Sequence, residues 1–294
     1  MSASLNADLE FDDSGLDTWT DEDRFEVTVE RLAEYAAATN DPIAAHRAGE
    51  VAPPVFAIVP VFESLMMPAV DVLPVELIPR VVHGEQDFHF RRPIRPGDKL
   101  VSRGKMIGYE GLPNGTRAAI KLECRTEDGE LVNEQYVTTF IRGFDAGKAI
   151  GVLSPEHKFD ESLHAQTPVA TVVQHIDDDQ TFRYSSASGD PMPIHLDEDV
   201  AKDAGLPGII VHGLCTMAFT SWAVLTEVAD SDVSRLKRFA VRFSKMVLPG
   251  DDLETRIWKK SAAEGVTTYA FETVRLAHGD EKAITDGLAE IREA

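Results

Sequence analysis

Asn40-Asp41-Pro42-Ile43-Ala44-Ala45-His46 lies over Gly189-Asp190-Pro191-Met192-Pro193-Ile194-His195. The aspartates and the histidines are displaced along the chain by the same interval. A second pair of landmarks, Pro96-Gly97-Asp98 and Pro249-Gly250-Asp251, recurs at a slightly longer interval, so small insertions separate the copies. An internal repeat of this length leaves few architectures open. The chain is built from two versions of one supersecondary unit, and whatever one copy folds into, the other must approximate.

The content of each copy follows from its periodicity. In the first, Thr28 can cap a helix over Val29 to Ala38. Arg31 stands where a capping box would need an acid or amide, so the box is incomplete. Thr39-Asn40-Asp41-Pro42 stops that helix. Pro53-Pro54 precedes an apolar segment, Val55 to Met67. Four strand-like runs follow, Val82 to Phe90, Lys99 to Gly108, Arg117 to Arg125 and Leu131 to Ile141, separated by Gly, Pro and Asn turns. The second copy repeats the order: helix, Asp–His loop, apolar helix, then strand-like runs over Lys237 to Val247, Leu253 to Ser261, Val266 to Ala277 and Ala283 to Ile291. In the first of these, Phe239, Val241 and Phe243 alternate with Arg238 and Arg242, the period of a half-buried strand. Each copy therefore reads as an α+β unit.

The densest chemistry lies between Arg183 and Ser221. Gly189-Asp190-Pro191 reads as a turn, and two prolines before His195 exclude a regular helix there. A short rigid loop thus presents a carboxylate and an imidazole together, a pair able to hold and activate one water. Leu196 to Gly205 is a short helical pattern ended by glycine. After His212-Gly213 comes Leu214 to Val228, a helix apolar nearly all round. Its N-terminus at Gly213 offers free backbone N–H groups, the kind of donor that stabilises an oxyanion or enolate.

Tyr184, Ser188-Gly189-Asp190, Pro193-Ile194-His195, Asp197, Ala201, Gly205, Pro207-Gly208 and His212-Gly213 together resemble the MaoC-like, or hydratase 2, motif. The members of that family are (R)-specific enoyl-CoA hydratases and dehydratases on the hot-dog fold. The resemblance implies a double hot-dog, each half an antiparallel sheet wrapped around a central helix. It implies Asp190 and His195 as the catalytic dyad, Gly213 as the N–H donor to the thioester oxygen, and Ser221 beside the substrate. Met192 stands where the family usually has Asn. The implied domains are an acidic N-terminal arm over 1–26, an N-terminal hot-dog over 27–145, a linker over 146–168 and a catalytic hot-dog over 169–294. The first half has no His-Gly before its central helix, so it is expected to serve as an acyl-tail pocket rather than a second catalytic centre.

The implied reaction is reversible hydration of a trans-2-enoyl-CoA to an (R)-3-hydroxyacyl-CoA. A dehydratase acting on carrier-protein substrates is the alternative within catalysis. A non-catalytic acyl-thioester-binding subunit is the alternative outside it, and the intact dyad speaks against that one. No cofactor is expected beyond the CoA thioester, which is itself substrate, and no metal.

The remaining candidates have plainer readings. His212 orders the loop at the helix start. Ser221 is open between substrate contact and a back-bonded helix serine. Cys215 is a core residue. His83, Asp87 and His89 share one strand face but lack an evident fourth ligand. Arg91, Arg92, Arg95 and Lys99 are either a solvated strand end or a phosphate clamp, with Arg235, Lys237, Arg238 and Arg242 in competition. The net charge of −21 makes nucleic acid an unsuitable partner and opposes an anionic membrane. Acyl-CoA or an acyl-carrier protein is the expected partner, with a homodimer possible. With two cysteines, no signal peptide and no apolar run read as long enough to span a bilayer, the cytoplasm is the expected compartment.

Overall fold

The computed structural model describes residues 9–293. In chain order the elements are β1 (Asp23–Glu26), α1 (Val29–Ala38), α2 (Ala44–Arg47), α3 (Phe62–Val72), β2 (Val81–Phe90), β3 (Lys99–Leu112), β4 (Gly115–Thr126), β5 (Leu131–Arg142), β6 (Ala149–Gly151), β7 (Ala170–His175), α4 (Gln180–Ser188), α5 (Glu198–Asp203), α6 (Gly213–Val228), β8 (Leu236–Phe243), β9 (Asp252–Ala263), β10 (Val266–Arg275) and β11 (Glu281–Arg292), with short 3-10 turns between them. The chain divides into two compact units. One gathers residues through Phe25, Pro60–Asp87 and Leu100–Glu156. The other gathers Glu26–Val59, Phe88–Lys99 and His157 onward. The segment bearing α1, α2, Asp41 and His46 therefore packs with the C-terminal half of the sequence.

In the first unit the strands follow the order β1-β3-β4-β5-β2, and β6 pairs with β3. The β3–β4 and β4–β5 ladders are antiparallel. Its helix runs against β3 at very short range. A Cβ at Gly104 would stand 2.2 Å from the Ser64 carbonyl, so only glycine fits there. The Ser102 hydroxyl fixes the same contact by donating to the Pro60 carbonyl at 2.9 Å.

Two expectations are corrected in this unit. Structure begins well before Val27. Phe11 is buried, meets Tyr109 edge-on and stacks on Phe144, Asp13 pairs with Lys148 and Tyr109, and Arg103 and Lys105 lie over the Trp19 ring. The acidic residues of this segment thus meet basic partners on the strands; the first eight residues of the expected arm lie outside the described ones. The second correction concerns Pro54–Val72. This helical stretch of 19 residues is long and apolar enough to cross a bilayer, with an 18-residue window of mean hydropathy 1.7, yet 61% of that window is buried inside the protein. Pro60 and Pro68 interrupt it, and its first eight residues are 3-10 rather than α, because each proline removes an N–H from the helical ladder.

In the second unit the order is β7-β9-β10-β11-β8, and the β7–β9, β9–β10, β10–β11 and β11–β8 ladders are antiparallel. Helix α6 lies on this sheet, its residues Leu214 to Ser221 all buried. A polar ladder aligns it: Thr220 and Thr255 both meet the Thr273 hydroxyl at 2.9 Å, and Gln174 donates to the Phe219 carbonyl at 2.6 Å. Phe239 and Phe271 stack beneath, centroids 5.0 Å apart.

The repeat is visible bond by bond. Helix α1 is capped by the Thr28 hydroxyl, which accepts from the Arg31 N–H at 3.2 Å. It packs with α4, and the Tyr35 and Tyr184 hydroxyls, 149 residues apart, meet at 3.2 Å. Asn40 and Gly189, which end the two helices, both take positive φ, 48° and 79°. Asp98 accepts from the Arg95 N–H at 2.9 Å, and Asp251 accepts from the Leu248 N–H at 2.7 Å. Each is also gripped by an arginine, Arg92 and Arg275 respectively.

Candidate active site

The site grows from the end of α4. Gly189 adopts the left-handed conformation that closes the helix, and its N–H bonds the Ser185 carbonyl at 3.0 Å. The chain then turns through Asp190. The Asp190 carbonyl accepts from the Ser185 hydroxyl at 2.6 Å, and one carboxylate oxygen accepts from the Met192 N–H at 3.1 Å. The side chain of Met192 points outward, 47% exposed, so the loop is held there by main chain. Pro193–His195 is a single 3-10 turn. It delivers His195, 9% exposed, with its Nδ1 2.7 Å from the Ile210 carbonyl. A carbonyl only accepts, so Nδ1 carries the proton and Nε2 of the neutral ring keeps its lone pair.

The segment between the dyad loop and α6 is tied down residue by residue. Asp197 caps α5 by accepting from the Asp199 and Val200 N–H groups. Glu198 accepts from the Ile209 N–H at 3.1 Å, and the Val211 N–H bonds the Val247 carbonyl at 2.9 Å. His212 then sits at the N-cap of α6. Its ring stacks on His195, centroids 3.8 Å apart and planes 26° apart. Its Nε2 points at the Asp190 carbonyl over a long 3.4 Å. The first amides of α6 have no intrahelical acceptor, and Gly213 is exposed while the residues on either side are buried. Asp190, His195, His212 and the open end of α6 are thus gathered in one place.

Burial governs the electrostatics. It pushes the His195 ring below the ordinary imidazole range, against the opposing pull of the Ile210 bond and the Asp190 charge. It raises Asp190 above the ordinary carboxylate range, opposed by the Met192 N–H and His195. His212 is pushed down to about 3, first by burial and then by its neighbour His195. Near neutral pH both rings are therefore neutral, and His195 presents a base next to a carboxylate of raised basicity.

The first copy of the pair is closed. His46 Nδ1 bonds Asp41 directly at 2.7 Å, with side-chain exposures of 0% and 1%. Asp41 also accepts from the Ile43 N–H at 2.8 Å, the same turn that Asp190 makes with Met192. The copies differ in what the histidine's Nδ1 finds. In the second, the Ile210 carbonyl draws it away from the aspartate. In the first, only Arg47 to Ala52 separates His46 from Pro53, and Nδ1 turns to Asp41.

Other candidates fall elsewhere. Ser221 is 1% exposed and its hydroxyl donates to the Ala218 carbonyl at 2.8 Å, a back-bonded helix serine. Cys215 is buried, which pushes its thiol up. Arg92 is taken by Asp98, Arg235 by Asp230, and Arg238 lies 4.0 Å from Glu290. Among the described residues, the histidine and acid side chains that converge are Asp190, His195 and His212, not His83, Asp87 and His89. The residue that sequence reasoning missed is Ile210. It acts through a main-chain carbonyl, which every residue has.

The family described as MaoC like domain matches residues 159–279, and that described as FAS1-like, dehydratase domain region, matches residues 15–135. A Dictyostelium discoideum protein named probable enoyl-CoA hydratase 2 is 33% identical over 182 residues, 61% of this chain and 60% of that protein. The chain thus spans under two thirds of that relative's length. The solved MaoC-like dehydratase of Phytophthora capsici is similar with a TM-score of 0.84 at 23% identity, over 96% of this chain and 97% of the other. A Mycobacterium tuberculosis protein described as having a double hot-dog fold is similar with a TM-score of 0.60 at 13% identity, over 94% of this chain and 95% of the other. The fold is an α+β double hot-dog.

Proposed function

From a chain whose residues 159–279 are a MaoC-like domain, we propose reversible addition of water to a trans-2-enoyl-CoA, giving the (R)-3-hydroxyacyl-CoA. The observation that carries the proposal is the gap between Asp190 and His195. The two side chains converge within 4.8 Å without bonding each other, because His195 is anchored on Ile210 instead. One water fits between two such acceptors, donating a hydrogen to each. His195 Nε2 takes one proton as the water oxygen bonds C3. The electron pair of the C2–C3 double bond moves toward the thioester oxygen, and the Gly213 N–H stabilises the enolate there. The acid/base pair then returns a proton to C2, so the net addition is one water. No cofactor is required, since the thioester carbonyl supplies the acidity of C2.

A second reading has its own support. The match of residues 15–135 to a dehydratase region of fatty-acid synthase type favours a 3-hydroxyacyl group carried on a carrier protein. The chemistry at Asp190 and His195 would be the same run in reverse. We propose the cytoplasm as its compartment; the two free, buried cysteine thiols suit a reducing environment, and fractionation of the source cells would test the location.

The test is loss of enoyl absorbance with crotonyl-, octenoyl- and longer enoyl-CoA, coupled to an (R)-specific 3-hydroxyacyl-CoA dehydrogenase. Turnover with NADH formation supports the reading. No turnover on any chain length, or product oxidised only by an (S)-specific enzyme, ends it. A preference for carrier-bound over CoA-bound 3-hydroxyacyl chains selects the second reading.

A further inference from the structure

The dyad and His212 do more than hold a water. Each histidine turns one nitrogen to a main-chain carbonyl, Ile210 for His195 at 2.7 Å and Asp190 for His212 at 3.4 Å. Each therefore has its other nitrogen bare. The Nδ1 of His212 is buried, has no hydrogen-bond partner, and belongs to a residue 2% exposed. One ring nitrogen from each histidine and a carboxylate oxygen of Asp190 all lie within 4.8 Å of one another. Because His212 Nδ1 has no partner, the ring can carry its proton on either nitrogen and leave the one facing the cluster as an acceptor; three acceptors can then face one point, and a single water has only two hydrogens to give. A species that takes lone pairs without supplying protons satisfies all three.

We propose that Asp190, His195 and His212 form a binding site for a divalent transition-metal ion of the zinc type, and that an ion bound there blocks the water site. Two imidazoles and one carboxylate are a donor set that zinc accepts, with a fourth position left open. The Ile210 carbonyl behind the His195 ring is the kind of outer partner that orients a metal-bound histidine. Bonds of about 2.0–2.1 Å put the ligands of a tetrahedral zinc roughly 3.4 Å apart. Binding must then draw the three atoms together and splay the stacked rings. The parts that give are the long His212 bond and the half-exposed Asp190 turn. Metal binding is independent of the hydratase reading; the block of hydration rests on it.

The test is zinc titration of the chelator-treated full chain by calorimetry, with enoyl-CoA hydration followed in parallel. One zinc per chain at micromolar affinity or tighter is expected, with hydration lost on loading and restored by chelator. Asp190→Asn and His212→Phe should each weaken binding at least about tenfold. His175→Asn, which removes an exposed histidine paired with Asp252, should not. Ring-nitrogen NMR of the unsubstituted chain keeps the test decisive if a variant fails to fold. Zinc should shift the His195 and His212 signals and leave His175 in place. No uptake, or equal affinity in all variants, overturns the site. A chain that binds zinc but hydrates nothing keeps the site and sinks the hydratase reading. One that hydrates and is indifferent to zinc does the reverse.

Discussion

Replacing Gly213 by proline isolates one atom of the mechanism. Gly213 is the first residue of α6, where a helix tolerates proline because the N–H has no intrahelical partner. The preceding residue must be extended, and His212 already is, at φ −55° and ψ 135°. Any side chain here also meets Phe243, since a Cβ would lie 3.2–3.4 Å from three of its ring atoms. Alanine imposes the same crowding and keeps the N–H, so Gly213→Ala is the reference. The variants differ by the loss of one donor to the developing enolate, worth about 10²- to 10³-fold in kcat, or roughly 2.7–4 kcal/mol, and by the proline Cδ that replaces its hydrogen, so a loss of at least that size is expected. Thermal melts of the two should nearly coincide. The assay is crotonyl-CoA hydration by each variant, with kcat and KM resolved separately. A folded Gly213→Pro enzyme with kcat within a few-fold of Gly213→Ala would refute the assignment of the α6 amide.

Asp190→Asn and His195→Gln should each lower kcat by roughly 10²- to 10⁴-fold, and the double variant should cost little more than the worse single one; near-full activity in either single variant removes the dyad. His46→Ala strands a carboxylate that is 1% exposed, at a cost of about 3–5 kcal/mol. Urea unfolding should read this through Trp222, whose indole N–H bonds the Thr39 carbonyl two residues before Asp41, while activity per folded molecule stays within a few-fold. The acid limb of kcat/KM should fall between the ordinary carboxylate and imidazole values, about 3.9 and 6.5. The working forms are neutral His195, whose pKa is lowered, and ionised Asp190, whose pKa is raised, so activity is lost as pH falls through that interval, as a property of the pair. His212 is depressed to about 3 in the folded chain. Its contribution to stability is complete above the unfolded value of about 6.5 and drains away below it, so unfolding experiments on His212→Phe should show a flatter loss of stability between those limits.

How much of this was legible in the sequence depended on what carried the signal. Strands β2 to β5 and β8 to β11 announced themselves as runs bounded by turn residues; burial alternates over the first halves of β3 and β9, while β4 and β10 are covered on both faces over much of their length. Strand β7 did not, because it is an edge strand with Val173 59% exposed and only Gln174 fully covered. The Pro54–Val72 stretch was visible as an apolar segment over Val55 to Met67, but not in its full length, and Pro60 and Pro68 lie inside it. Tertiary contacts at Gly104 and Ser102 hold it together instead. At the site, residue types spoke clearly for Asp190 and His195. Nothing in the residue type of Ile210 could show that its carbonyl sets the histidine's tautomer. Nor could the pattern Asp-x-x-x-x-His, present twice, say which copy would close on itself.

The membership of Glu26–Val59 in the unit completed by His157 onward has a consequence for synthesis. On a ribosome this segment emerges early, with Leu32, Tyr35 and Phe56 destined for full burial and their partners still untranslated. At roughly 5–20 residues per second, the wait for the end of β11 at Arg292, 233 residues after Val59, lasts on the order of ten to fifty seconds. During that time an amphipathic helix and an apolar run stand without a core. Nascent chains of this protein should therefore engage holding chaperones through residues 26–59, and release them only once the strands of the second unit, through β11, have emerged.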